Sequence, residues 1–529
     1  MASKKKHIQI YDTTLRDGAQ SENITFTVGD KLRICTQLDQ AGFDYIEAGW
    51  PGASPKDTDF FDRAKKELKL KHAKLVAFGS TRKASNSPEK DKILNDLIAA
   101  QTKVVCIFGK TWDLHVRSAL RISLKENLKL ITDSVAYLKK AGREVIYDAE
   151  HFFDGYKANK KYALDTLQAA SKGGADRIVL CDTNGGTLPD EIEKLVKDIK
   201  SKMRMPLGIH CHNDSGTAVA NSMAAVKAGV TQVQGCVNGI GERCGNANLV
   251  TIVANLELKL GFHCIGAPQL KNLRELSLFV DEMANRASDA RQPYVGLSAF
   301  AHKGGMHVNA ILKNSKTYEH IDPTRVGNQQ RILLSDYSGA STMFYKLKKY
   351  GVDISATDPH VTKLLTTLKD KENQGYHYEG AEGSFEILVK KAMGDYKPHF
   401  ELKDFRVTDE VVSDSGGKAT SEAEVHLAVN GHEEKTTAKG VGPVHAIDQA
   451  LRGALERFYP SIAQMKLLDY KVRVLPANLE GTAATVRVLI EFGDDKTQWG
   501  TIGVSENIIH ASYQALVDGI DFKLFKDRV

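Results

Sequence analysis

A chain of 529 residues is too long for one ordinary domain, and its make-up, 42% hydrophobic and 26% charged, is that of a soluble globular protein. Its 72 basic and 66 acidic residues leave a net charge of +6 and no long basic block with interleaved aromatics, which argues against a nucleic-acid groove. No apolar run reaches membrane-spanning length, Lys4-Lys5-Lys6 has no apolar stretch behind it, and the 7 cysteines read as reduced thiols, so a cytoplasmic protein is expected.

Short apolar runs rich in β-branched residues recur through the first half. Strands are predicted near His7 to Thr14, Asp44 to Gly49, Ala73 to Gly79, Lys103 to Gly109, Glu144 to Glu150, Asp176 to Thr183, Pro206 to Asn213 and Thr231 to Val237. Amphipathic segments lie between them. In Asp30 to Ala41, for example, Leu32, Ile34, Cys35 and Leu38 fall near helical spacing, with Gly42 as a stop. Eight strand-helix units in about 260 residues match an α/β (β/α)8 TIM barrel. An open doubly wound sheet is the alternative. The barrel is favoured because polar residues cluster at the C-terminal ends of six of the eight strands, which a barrel gathers on one face.

The barrel is assigned to residues 1–270 and followed by small helical linker subdomains over 271–390, in which a helix at Leu273 to Ala287 alternates with polar loops such as Ala301 to His307. A C-terminal domain is assigned to residues 391–529, where an internal repeat with an offset of 61 pairs Val425 with Val486, Leu427 with Val488, Gly442 with Gly503 and Ile447 with Ile508. Each copy reads strand, turn, strand, glycine, helix. Such a two-fold β-β-α module suits a dimerisation domain or a regulatory small-molecule site, and the two are compatible.

The chemistry concentrates in Ile209-His210-Cys211-His212-Asn213-Asp214. Residues i and i+2 of a strand share a face, so His210 and His212 can present two imidazoles to one divalent metal. Tyr11-Asp12-Thr13-Thr14-Leu15-Arg16-Asp17-Gly18 supplies a third ligand in Asp17 and a neighbouring cation in Arg16, which can stabilise negative charge on an oxygen. The loop after the eighth strand offers a fourth ligand in Asn246, and Cys244 there reads as a ligand, a nucleophile or an unreactive thiol. This donor set suits Zn2+, Mn2+ or Mg2+ without selecting among them. Glu150 and Thr183, at the tips of strands five and six, can orient a substrate, move a proton or bind a carboxylate, or serve only as loop ties. Glu47 can be a site residue or simply hold Arg16 in place.

Asp12-Thr-Thr-Leu-Arg16-Asp17-Gly18, His210-Cys-His212-Asn213-Asp214 and Gly241-Glu-Arg-Cys-Gly-Asn246-Ala-Asn248 resemble the metal-dependent Claisen condensation and lyase superfamily, which includes isopropylmalate, homocitrate and citramalate synthases and hydroxymethylglutaryl-CoA lyase. The C-terminal repeat is similar to the allosteric domain of the isopropylmalate and citramalate synthases, which the lyases lack. The stretches from Phe108 to Val116 and from Val145 to Tyr156 are similar to the citramalate branch. The resemblance implies metal positions at Asp17, His210, His212 and Asn246, 2-oxo acid positions at Arg16 and Thr183, and an active-site glutamate at Glu150. It implies that His302, with Tyr318 as a partner, helps deprotonate acetyl-CoA from a helical subdomain reaching over a partner's barrel.

The implied reaction joins pyruvate, acetyl-CoA and water into citramalate and CoA, with feedback by isoleucine at the C-terminal domain of a homodimer. Tyr147 is expected to shorten the 2-oxo acid pocket in favour of a methyl group, unless it is a core residue facing the helices. Isopropylmalate synthesis from 2-oxoisovalerate is the rival reaction. A lyase running the chemistry backwards is argued against by the C-terminal repeat, and a non-catalytic sensor by the complete metal set.

Overall fold

A computed structural model describes residues 6–333, 347, 359–378, 380–394, 396–410, 420–475 and 484–527. Part of the expected helical linker, residues 334–346 and 348–358, lies outside the described residues. The chain divides into two compact units, one of residues 1–300 and 320–330, the other of residues 301–319 and 331–529.

The first unit is a closed parallel barrel of β1 (Gln9–Asp12), β2 (Tyr45–Gly49), β3 (Lys74–Ser80), β4 (Val104–Lys110), β5 (Glu144–Glu150), β6 (Arg177–Asp182), β7 (Leu207–Cys211) and β8 (Gln232–Gly235), with β8 pairing back onto β1. All eight strands fall inside or within one residue of the predicted runs. Alternation along each strand divides the side chains into two layers. Tyr11, Tyr45, Val76, Cys106, Ile146 and Val179 fill the barrel, while Ile10, Ile46, Val105, Val145 and Ile178 pack outward under the helices. The helices carry the expected punctuation. In Val28–Gln40, Thr27 Oγ1 accepts from Asp30 N at 3.2 Å while Thr27 N donates to Asp30 Oδ2 at 2.9 Å, a capping box worth about 1 kcal/mol.

In the second unit the short strands β9 (Ala301–His302) and β10 (Arg331–Ile332) pair in parallel. The predicted polar loop stops short at Gly305, because Gly305–Lys313 forms a helix that buries Val308 and Ile311. The C-terminal part holds two antiparallel sheets, β11 (Glu401–Glu410), β12 (Thr420–Val429) and β13 (His432–Gly440), then β14 (Lys466–Val474), β15 (Val486–Gly493) and β16 (Gln498–Ser505). A helix follows each, Pro443–Leu455 and Ile508–Asp527, and the two copies share one core.

The repeat is real but its register is not 61. The bulge at Leu402/Asp404 recurs at Leu467/Asp469, the pair Leu427↔Glu434 at Phe492↔Trp499, and buried Ala446 at Ala511, an offset of 65 residues. A four-residue slip is even, which preserves the strand face, and close to one helical turn, which preserves the helix face. Apolar matching alone therefore cannot distinguish the two registers. At the correct offset each copy also gains a first strand, β11 or β14.

Candidate active site at the barrel mouth

The loop after β1 is wound tightly over the C-terminal end of the barrel. Thr13 O accepts from the backbone N–H groups of Arg16, Asp17 and Gly18 at 3.2, 2.9 and 3.0 Å, and the Asp12 carboxylate accepts from Thr14 N and Thr14 Oγ1. This turn points Arg16 and Asp17 at the end of β7. Asp17 Oδ2 lies 3.4 Å from His210 Nε2, 3.9 Å from His212 Nε2 and 3.3 Å from Arg16 Nη1. Burial alone would raise the Asp17 carboxyl, but the Arg16 charge and the two imidazoles hold it well below the usual carboxylate range. Burial likewise opposes charge on His210, yet its contact with Asp17 moves that imidazole upward. His212, disfavoured by burial and then by His210, falls to about 4.

One ligand atom from each of Asp17, His210 and His212 fits within 4.8 Å of the others. After β8 the chain turns back beside β7, where the Asn246 backbone pairs with that of His212 in an isolated antiparallel bridge and Asn213 N donates to Gly245 O at 2.9 Å. Gly245 is required in this return, since at φ +86° a Cβ would lie 2.0 Å from Gly239 O. Asp17 Oδ1 and Asn246 Oδ1 are buried without a hydrogen-bond partner. Two unsatisfied buried oxygens beside two imidazoles would each cost about 1–3 kcal/mol, whereas a divalent cation would satisfy them. The residues therefore fit a metal.

Arg16 is fixed on two sides, by Glu47, which Tyr11 holds in turn, and by Phe78. Its Nε donates to Glu47 Oε1 at 2.5 Å, Tyr11 Oη donates to Glu47 Oε2 at 2.5 Å, and its guanidinium lies 3.8 Å above the Phe78 ring centre. Glu47 thus holds the arginine, one of its two sequence readings. The guanidinium borders a cavity of about 260 Å3. Phe78 and Phe108 form its apolar wall, stacked at 5.6 Å, with Trp50 edge-on to both. Thr183 and Glu150 also line it. Thr183 Oγ1 accepts from His151 N at 2.9 Å, which leaves the hydroxyl proton free to donate inward.

Tyr147 does not line the cavity. It is fully buried in the layer between strands and helices, and the cavity-facing positions of β5 are Asp148 and Glu150. Strand alternation turns Tyr147 outward, so it is the core residue facing the helices and does not shorten the pocket. His302 and Tyr318 belong to the second unit, where His302 Nε2 lies 3.2 Å from Glu319 Oε1 and the Tyr318 ring stacks on His307 at 4.1 Å. All 7 cysteines are free thiols, and Cys244 alone among them is exposed.

Several site residues escaped the sequence reading. Lys110 pairs with Glu150, Arg243 forks onto Asp214 at 2.7 and 3.0 Å, and Gln234 Oε1 lies 2.9 Å from His210 Nδ1. The aromatic wall also went unread, although Trp50, Phe78 and Phe108 stand at or just beyond the C-terminal halves of predicted strands.

The HMGL-like family model matches residues 7–280, the homocitrate synthase post-HMGL domain-like model residues 294–375, and the LeuA allosteric (dimerisation) domain model residues 379–524. A protein of Geobacter sulfurreducens named (R)-citramalate synthase is 55% identical over 98% of both chains. Proteins of the same name from Aquifex aeolicus and Synechocystis are 54% and 50% identical, over 98% and 99% of this chain and 98% and 97% of theirs. The chain belongs to the HMGL-like family, among the (R)-citramalate synthases. The likeness to these relatives runs over nearly the whole length of the chain. Its HMGL-like segment contains Asp17, Arg16, the histidine pair and Asn246.

Proposed function

We propose that the protein condenses pyruvate with acetyl-CoA and water to (R)-citramalate and CoA, the entry step of a threonine-independent route to isoleucine. The observation that carries this reading is the small cavity in which Arg16 stands beside the Asp17, His210 and His212 cluster and faces an aromatic wall. Such a site suits a short 2-oxo acid whose carboxylate and keto oxygen need cationic partners and whose methyl group needs an apolar one. Metal selection is left to Mn2+, Mg2+ or Zn2+, held by Asp17, His210, His212 and Asn246. When bound, the ion supplies Lewis-acid polarisation of the keto carbonyl.

The protein's own residues then divide the work. The Thr183 hydroxyl holds the substrate carboxylate. Glu150, paired with Lys110, orients the bound acids at the rim. Arg16, kept in place by Glu47, stabilises the alkoxide that develops when the new C–C bond forms. His302, reaching over a partner's barrel, removes the methyl proton of acetyl-CoA, with Tyr318 or a water assisting, and Glu319 at 3.2 Å supports the charge that the imidazole then carries. Water finally cleaves the thioester. The C-terminal repeat forms the dimer contact and senses isoleucine, a reading supported by the LeuA allosteric (dimerisation) match. A cytoplasmic setting is assigned with it, and among the described residues no helix is long and apolar enough to cross a membrane.

The test is thiol release from acetyl-CoA by purified protein with Mn2+ or Mg2+, comparing pyruvate with 2-oxoisovalerate at equal concentration. Strong preference for pyruvate is expected. Preference for 2-oxoisovalerate would move the reading to isopropylmalate synthesis, and no release with either acid would refute a condensing enzyme.

A further inference from the structure

His210 and His212 are neighbours on one face, but their second nitrogens are treated differently. His212 Nδ1 is buried with no hydrogen-bond partner, whereas His210 Nδ1 lies 2.9 Å from Gln234 Oε1. Gln234 is the residue of β8 directly opposite His210 on β7, and it is fully buried. Its other amide atom, Nε2, donates to Asp148 Oδ1 on β5 at 3.1 Å, across the barrel interior. The chain His210–Gln234–Asp148 therefore joins three strands beneath the metal cluster.

A primary amide has one accepting and one donating end. A carboxylate can only accept, so Asp148 claims the donating Nε2 and leaves Oε1 to face His210. Oε1 in turn needs a proton on His210 Nδ1. An imidazole protonated at Nδ1 has its lone pair on Nε2, the nitrogen 3.4 Å from Asp17 Oδ2. In the opposite orientation the amide oxygen would face the Asp148 carboxylate, and an N–H would face the Nδ1 lone pair. That arrangement would leave Nε2 protonated and unable to coordinate.

We infer that Gln234 is a positioning residue that fixes the His210 tautomer for metal ligation, with Asp148 setting the direction of its amide. The inference rests on the metal reading above and assigns unequal roles to the two imidazoles: His210 is oriented before the ion arrives, and His212 is oriented by the ion. Outer hydrogen bonds of this kind are worth about 10- to 100-fold in metal affinity.

The test is Mn2+ binding to chelator-treated protein, followed by the loss of the free Mn2+ electron paramagnetic resonance signal, for wild type, Gln234→Met and Gln234→Glu. Methionine keeps the length and loses both hydrogen bonds. Glutamate keeps an oxygen for His210, and a proton shared between its other oxygen and the buried Asp148 carboxylate keeps the second hydrogen bond. Expected is a Kd weakened about 10- to 100-fold in Gln234→Met, with unchanged far-UV circular dichroism, and a Kd within a few-fold of wild type in Gln234→Glu. A Gln234→Met protein that binds Mn2+ as wild type does would overturn the relay while leaving the metal site standing. If Gln234→Met does not fold, Gln234→Glu decides alone, because a 10-fold or greater weakening there overturns the inference. A wild-type protein that binds none of Mn2+, Mg2+ and Zn2+ overturns the metal reading and the relay with it.

Discussion

Phe108 offers the sharpest test of what sets substrate size. Its ring stacks on Phe78 at 5.6 Å and, with Arg16, lines a cavity of about 260 Å3. The rival acid, 2-oxoisovalerate, carries two more carbons than pyruvate, and forcing extra carbons into a packed wall costs about 1–3 kcal/mol. Phe108→Val removes most of the ring at a half-buried position, and unlike Phe78 it does not underlie Arg16. The expected outcome is a fall of about 10- to 100-fold in the ratio of kcat/KM for pyruvate to that for 2-oxoisovalerate, equivalent to about 1.4–2.8 kcal/mol. Thiol release under matched conditions reads the ratio. Tyr147→Phe is the control, since that side chain faces the helices and its change should leave the ratio alone. A ratio moved by Tyr147→Phe and unmoved by Phe108→Val would refute both the aromatic wall as the size limit and the outward placement of Tyr147.

Arg16→Lys keeps the charge but loses the donor fork that serves Glu47 and the substrate together, so kcat should fall about 10²- to 10³-fold with Mn2+ affinity nearly unchanged. Equal turnover would remove Arg16 from the chemistry. Glu47→Gln leaves a buried guanidinium short of its counter-charge and should lower stability by about 3 kcal/mol or more, seen as a reduced urea midpoint with kcat/KM for pyruvate falling as well. In the second unit Asp518, next to Ser384 and Lys391, is pushed up to about 6 by burial, from an ordinary 3.8. A raised folded-state acid binds its proton more tightly than the unfolded chain does. Its contribution is thus fully present below about pH 4 and lost as pH rises through 6, a swing of about 3 kcal/mol at most. Asp518→Asn should flatten that segment of the stability profile measured by urea unfolding between pH 4.5 and 7.5, and an unchanged slope would contradict it.

The barrel was legible because short apolar runs recur eight times, six of them closed by a polar tip, and the period survives without tertiary knowledge. Asp17, Arg16 and the histidine pair were legible because two spacing rules, i and i+2 on a strand and adjacency in a turn, place them on one face. What failed was orientation and pairing across distance. Tyr147 and Asp148 are sequence neighbours on opposite faces of β5, so a one-residue uncertainty in register exchanged core for cavity. The C-terminal repeat slipped by four residues because both of its periodicities tolerate that shift, and only the matched bulges at Leu402/Asp404 and Leu467/Asp469 resolve it. Gln234 was silent for another reason. A glutamine on a strand reads as an ordinary polar residue until the barrel closes and β8 sets it opposite His210.

The same closure explains why the acidic residues under the site are tolerated. Glu47 and Asp148 lie inside the barrel with Cys106, all three buried and close together, which in an apolar core would be prohibitive. Each carboxylate is answered by a group that the mouth requires anyway: Glu47 by Arg16 and Tyr11, Asp148 by Gln234. Burial and the nearby Glu47 charge still push the Asp148 carboxyl upward. The acids therefore serve less as ligands than as anchors beneath the floor, one orienting the guanidinium and the other orienting the amide that orients a histidine. The acids thus tie Arg16 and His210 from below, whereas His212 and Asn246 are held through their backbone N–H groups and, for Asn246, by its Nδ2 donating to Ile240 O, with His212 Nδ1 and Asn246 Oδ1 left without a hydrogen-bond partner.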